Sequence, residues 1–206
     1  GDLEVVVVPN GPDESWKEIA AHYRNEGRVA WHPIKTAHAN AARNQGMHVA
    51  RGELIRFLDD DDYLYPDSCQ RQCEVMTTSK AEISSGNANI VREDGRIVRV
   101  FSQPNSTDFA SSALSPSRRP AIFSHLYRRR LIATLRWEED RSVGQDTAWF
   151  IRLAAAREIV WHRHTEPVGA WVQHGGARIS RGRDPGPIVL RETAELIQHA
   201  FQSLAA

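Results

Sequence analysis

Glu53-Leu54-Ile55-Arg56-Phe57-Leu58-Asp59-Asp60-Asp61-Asp62-Tyr63 is an apolar run that ends in four consecutive aspartates. The run predicts a strand over residues 53–58, with the aspartates at its carboxyl end. If the strand continues, alternation puts Asp59 and Asp61 on one face and Asp60 and Asp62 on the other. Two carboxylates about 5 Å apart repel by roughly 3 kcal/mol at an effective dielectric of about 20. A bound cation relieves that repulsion, and hard divalent ions such as Mg²⁺ or Mn²⁺ favour oxygen ligands of this kind. A solvated acidic turn is the commoner origin of acidic runs. The strand in front and the helix behind favour the cation site here.

Working outward, residues 3–8 form a run that is apolar apart from Glu4, the mark of a strand buried on both faces. Pro9-Asn10-Gly11-Pro12 breaks it. Ser15 and Glu18 have capping-box spacing, which predicts a helix over 16–26 that stops at Gly27. Residues 28–31 read as a short strand and 37–50 as a helix. Pro66 and Asp67 open another helix that runs to residue 79. Strand–helix alternation predicts a mostly parallel α/β sheet, whose ligands sit beyond the carboxyl ends of the strands. Both Asn10 and the aspartates fall at that edge.

The pattern changes after residue 80. Residues 89–101 predict a hairpin that turns on Asp94-Gly95. Residues 103–120, rich in Ser, Pro and Asn, predict a long loop. Helices are expected over 123–135 and 147–157, a short strand over 159–162, and a C-terminal helix over 188–204.

The 206 residues fit one domain, with one half over 1–80 and a second half with the C-terminal helix over 81–206. Lys plus Arg and Asp plus Glu both number 26. This balance gives no electrostatic reason to expect nucleic acid. No run is long and apolar enough for a transmembrane segment, and none reads as a signal peptide. Cys69 and Cys73, one helical turn apart, read as packed thiols. The expected setting is cytoplasmic, with the cytoplasmic face of a membrane left open.

Three stretches carry a family resemblance. The first is Ala41-Ala42-Arg43-Asn44-Gln45-Gly46, then Ala50-Arg51-Gly52-Glu53-Leu54-Ile55, then Phe57-Leu58-Asp59-Asp60-Asp61-Asp62. The second is Val143-Gly144-Gln145-Asp146-Thr147-Ala148-Trp149-Phe150-Ile151-Arg152-Leu153. The third is Glu166-Pro167, followed by Trp171-Val172-Gln173-His174 and Ser180. In order and spacing they resemble glycosyltransferase family 2, with its A-R-N-x-G helix, A-x-G-E-x-I turn, F-L-D-x-D-D metal motif and G-E-D segment.

The resemblance implies the GT-A fold: a Rossmann-like mixed, mainly parallel sheet flanked by helices, here lacking the family's first strand. It implies an inverting glycosyltransferase that moves a sugar from a nucleotide diphosphate, with a UDP-sugar as the family-level donor. The acceptor hydroxyl would belong to a saccharide, lipid or protein. By the same resemblance Asn10, Arg43, Asp59 and Asp60 would bind the nucleotide sugar. Asp61 and His174 would ligate Mn²⁺ or Mg²⁺, and Asp146 would be the general base.

Each assignment has a plainer rival. Asp60 and Asp62 equally suit holding the loop or capping the next helix. Arg43 alone would be a surface helix residue, and Asn44 a structural one. Asp146, where a helix begins, equally suits an N-cap whose charge the helix dipole stabilises. His174 is one of nine histidines, and His162 and His164 read as packing residues. Arg178 and Arg181 suit either a diphosphate or a solvated loop. Gln145 stands where the family has Glu, and Asn10 where an acidic pair precedes glycine. Those departures keep open a non-catalytic nucleotide- or metal-binding module on the same fold. A nucleotidyltransferase is the remaining alternative, because paired carboxylates with Mg²⁺ also serve that chemistry.

Overall fold

A computed structural model describes residues 3–115, 121–141 and 144–174, with residues 194, 195, 197, 198 and 202 beyond them. Val143, Arg178, Ser180, Arg181 and most of the expected helix over 188–204 lie outside the described residues.

The first half follows the expected alternation: β1 (Val5–Val7), α1 (Trp16–His22), β2 (Val29–Trp31), α2 (Ala39–Val49) and β3 (Leu54–Ile55). β1 and β2 pair in parallel as a two-stranded sheet, with Val5 opposite Val29 and Val7 opposite Trp31. α1 buries none of its residues and stops at His22, short of residue 26. The expected capping box does not form, because the Ser15 hydroxyl donates to Asp13 instead.

β4 (Tyr63–Leu64), α3 (Ser68–Thr78), β5 (Ile83–Arg92), β6 (Ile97–Phe101), α4 (Phe109–Leu114), β7 (His125–Arg128), α5 (Arg129–Ile132), α6 (Gln145–Ala156) and β8 (Trp161–Gln173) complete the described elements. The main sheet has the order β3-β7-β5-β8-β4, and β6 pairs with the far half of β5. The sheet is mixed. It is not mainly parallel: among the described strands two pairings are parallel, β1 with β2 and β5 with β8, and four are antiparallel.

Residues 123–128, expected to be helical, enter a short 3₁₀ turn and then β7. Period-two alternation explains the strand. His125 and Tyr127 face the aromatic core, while Leu126 packs on Met76 and Ala81 from the other side. The strand expected at 159–162 is the start of the thirteen-residue β8. Pro167 cannot donate to β5, and the β5–β8 register shifts on both sides of its partner Asn87. The hairpin between β5 and β6 forms as expected, with Gly95 at φ 81°. The stretch expected as a loop contains α4, capped by Asp108, whose Oδ1 accepts from the Ser111 N–H at 2.7 Å.

The core lies between the sheet and α6. Phe57, Tyr127, Trp137, Trp149 and Phe150 form an aromatic block, and Phe109 of α4 closes it against Phe150 and Trp161. Among the described residues no helix is long and apolar enough to cross a membrane.

Candidate active site

The aspartates form a turn rather than a strand end. Phe57 is buried in the aromatic block, Leu58 is exposed, and the Asp62 N–H donates to the Asp59 carbonyl at 3.2 Å. Two-face alternation therefore does not apply, and the carboxylates fan out. Asp59 Oδ1 accepts from Arg43 Nη2 at 2.8 Å. Asp61 Oδ2 lies 2.9 Å from His174 Nε2. Asp62 Oδ1 accepts from the Val172 N–H of β8 at 3.1 Å, which fastens the turn to that strand. Asp60 is exposed at the tip.

β4 follows the turn directly and pairs with β8, Tyr63 opposite Ala170 and Leu64 opposite Gly169. The contact at Gly169 is too close for a side chain. A Cβ there would collide with the Tyr63 carbonyl oxygen. The position of the turn therefore depends on a glycine more than a hundred residues downstream.

Arg43 projects from α2 into the space between the turn and α6. Its side chain is only 12% exposed. Nη1 donates to Asn40 Oδ1 at 3.0 Å and to Gln145 Oε1 at 3.1 Å. The guanidinium lies over the Trp137 ring, 4.6 Å from its centroid. Trp137 in turn stacks on Trp149 of α6, with centroids 4.3 Å apart and planes 3° from parallel. Asn44 holds the Trp137 backbone at both ends: its Nδ2 donates to the carbonyl at 2.9 Å, and its Oδ1 accepts from the N–H at 2.8 Å. Asn40 Nδ2 donates to the Glu138 carbonyl at 2.6 Å. Asn40 together with Arg43 and Asn44 of the Ala41–Gly46 motif thus supplies one charged and two amide side chains that brace the neighbouring segment.

Asp146 lies in the first turn of α6, but it is not the cap. That position belongs to Gly144, in the left-handed region at φ 65°. The helix N-terminus still favours a negative charge at Asp146. Behind it the buried Tyr127 hydroxyl is held well above its ordinary pKa, first by burial and also by the negative charge of Asp146.

Asn10 lies three residues beyond β1 in an isolated parallel bridge to Ile34, and is exposed. The structure therefore joins Arg43 with Asp59 and Asp61 with His174. Among the described residues the side chains of Asn10 and Asp60 make no hydrogen bond to either pair. His162 and His164 lie elsewhere on β8, where His164 pairs with Glu166 at 3.3 Å. Among the described residues no three His, Cys, Asp or Glu side chains converge. The Asp61–His174 pair nevertheless fits a hard divalent ion. With bonds of about 2.1 Å, adjacent ligands of an octahedral ion lie about 3.0 Å apart, and such ions complete their shell with water and phosphate oxygens. Sequence reasoning missed Trp137, Gly169 and the bracing contacts of Gln145. Their importance lies in contacts across about a hundred residues, with no local pattern to announce them.

Comparison with known proteins agrees with this geometry. The profile of Glycosyl transferase family 2 matches residues 1–159. Succinoglycan biosynthesis protein ExoO of Rhizobium meliloti (strain 1021) is 29% identical over 180 residues, which cover 80% of this chain and 51% of that protein. The uncharacterized glycosyltransferase EpsJ of Bacillus subtilis (strain 168) is 29% identical over 168 residues, covering 76% of this chain and 48% of that protein. The chain thus spans about half the length of these relatives. In fold it is similar to S. aureus TarS 1-349 in complex with UDP-GlcNAc, with a TM-score of 0.75 at 19% identity, covering 99% of this chain and 62% of that one. Taken with its ordered motifs and the GT-A architecture, the match places this chain in glycosyl transferase family 2.

Proposed function

We propose that the chain is the donor-binding part of an inverting glycosyltransferase that moves a sugar from a UDP-sugar to an acceptor hydroxyl with the help of Mn²⁺ or Mg²⁺. One observation carries the reading: Asp61 and His174, 113 positions apart, meet at 2.9 Å beside the Arg43–Asp59 pair. The likeness to TarS, solved with UDP-GlcNAc and with UDP, supports a uridine nucleotide as the donor.

Asp61 and His174 would hold the ion. A divalent ion bound there stabilises the charge that gathers on the leaving diphosphate. Asp59 gives one oxygen to Arg43 and turns the other to the donor ribose, so Arg43 acts through Asp59. Asp60, exposed at the tip, offers a further acceptor to donor hydroxyls. Asn10 reads the edge of the base, since an amide both donates and accepts. Asp146 takes the proton of the acceptor hydroxyl as it attacks, a task typically worth about 10² to 10⁴ in rate.

Calorimetric titration of UDP, GDP and several nucleotide sugars, each with and without Mn²⁺, tests the reading. Metal-dependent binding of UDP and a UDP-sugar is expected, and no binding to any of them overturns it. In Asp146→Asn, donor hydrolysis or transfer should fall about 10²-fold or more. Unchanged turnover in that variant removes Asp146 from the chemistry.

A further inference from the structure

Gln145 opens α6 one residue before Asp146, and its amide faces two ways. Oε1 accepts from Arg43 Nη1 at 3.1 Å, while Nε2 donates to the Arg141 carbonyl at 3.1 Å. The same guanidinium holds Asp59 through Nη2 at 2.8 Å. The aspartate turn, α2 and the start of α6 therefore meet on one buried cation. A second path runs alongside, from Arg43 to Trp137 and on to Trp149, about one turn along α6 from Asp146.

The residue type at 145 matters to this junction. An amide oxygen accepts one hydrogen bond from Arg43 and brings no charge. A carboxylate in the same place would compete with Asp59 for the guanidinium, because charge-assisted pairs are the stronger ones. Glutamine leaves the charge of Arg43 committed to Asp59, and its nitrogen anchors the segment that leads into α6.

We infer that Gln145 is a positioning residue that registers the Asp146 helix on the aspartate turn through Arg43. The inference rests on the reading of Asp146 as the base. It makes donor site and base parts of one rigid unit, so a shift at Asp59 reaches Asp146 through Arg43 and Gln145, with the Trp137–Trp149 stack alongside. Misplacement of a catalytic group by about 1 Å can cost up to about 10²-fold in rate.

Gln145→Ala and Gln145→Glu test it, with UDP affinity in Mn²⁺ and donor hydrolysis measured on the whole chain. Gln145→Ala should lower kcat about tenfold while the Kd for UDP stays within about twofold, a split that general loosening of the fold would not produce. Gln145→Glu restores an acceptor for Arg43 and should return kcat to within about threefold of the parent, while it weakens UDP binding by drawing Arg43 off Asp59. An unchanged kcat in Gln145→Ala, equal losses in both variants, or a loss of UDP affinity that matches the loss of kcat overturns the inference. If the parent protein neither binds UDP nor hydrolyses a donor, the functional reading fails on its own. The registration is then judged in the ligand-free protein by a double-mutant cycle of Arg43→Ala and Gln145→Ala in urea. A coupling of about threefold or more in the unfolding constant supports it, and additive effects overturn it.

Discussion

Asp59 and Asp61 stand two residues apart in one turn and keep similar exposure, 43% and 39% of their side chains. Their partners differ in kind. Asp59 pairs with an arginine that is itself enclosed by Asn40, Gln145 and Trp137. Asp61 pairs with a histidine, a group that a divalent ion can share or displace. One carboxylate is built into the scaffold, and on the proposed reading the other is the one that meets the ion. A run of four identical residues thus carries different tasks because the turn sends each side chain to a different neighbour.

The sharpest way to break this comparison is Asp61→Ala. On the proposed reading Mn²⁺-dependent UDP affinity should fall about 10²-fold or more, while the melting temperature stays within about 2 °C, as for an exposed group. Retained metal-dependent binding would show that the two carboxylates do not divide the work in this way. Next in size is Gly169→Val, which pushes on β4 behind the turn. It should cost about 2–3 kcal/mol by overpacking, read by urea denaturation. UDP affinity should drop with it; a variant with unaltered affinity would uncouple β4 from the turn.

The aromatic block behind Arg43 offers a pH test. His125 is fully buried beside Phe150, hydrogen-bonded to Ser85 Oγ at 2.6 Å, and its pKa is lowered from 6.5 to about 3, first by burial and then by Arg56. The folded value lies below the unfolded one. The neutral ring therefore contributes fully above pH 6.5, and that stability is lost progressively as pH falls toward 3. At about pH 5 the loss is roughly 2 kcal/mol. Urea unfolding at pH 7.5 and 5 should show a smaller difference in His125→Phe than in the parent. Equal differences would remove His125 as the cause.

The smallest effect is expected from Asp59→Ala. It strands a largely buried guanidinium, but the pair is half open to water, so about 1 kcal/mol is expected from thermal denaturation. A loss above about 3 kcal/mol would mean that the pair behaves as a closed one and that the exposures understate the contrast.

Much of the frame was legible because local signals carry it. The runs at 3–8 and 53–58 and the Asp94-Gly95 turn lie where β1, β3 and the β5–β6 hairpin form, whereas the stop at Gly27 is not used, because α1 ends at His22. The errors share a physical cause. His125, Leu126 and Tyr127 alternate at period two, yet Phe123, Leu126, Leu131 and Leu135 can also be read at helical spacing, and only the pairing with β5 decides. The parallel expectation came from the strand–helix alternation of residues 3–79, whereas β4 and β7 return antiparallel to strands far away in sequence. In the site, the family resemblance pointed to Asp61, His174, Arg43 and Asp146. It did not say that Arg43 would be taken up by Asp59, nor that Gly144 rather than Asp146 would cap α6. Those outcomes depend on the geometry of the aspartate turn and on a left-handed backbone at Gly144, which no periodicity announces.

β6 raises a question of colloidal behaviour rather than chemistry. Among the described residues it pairs with β5 alone, and it leaves Ile97, Val98 and Val100 about half exposed at 55%, 49% and 49%. A short aliphatic edge is a template for another chain, and natural sequences guard such edges with charge. Arg96 and Arg99 are the charges at hand here. Their repulsion is screened within about 10 Å at 0.1 M salt and within about 3 Å at 1 M. Concentrated salt would therefore strip this edge of its guard.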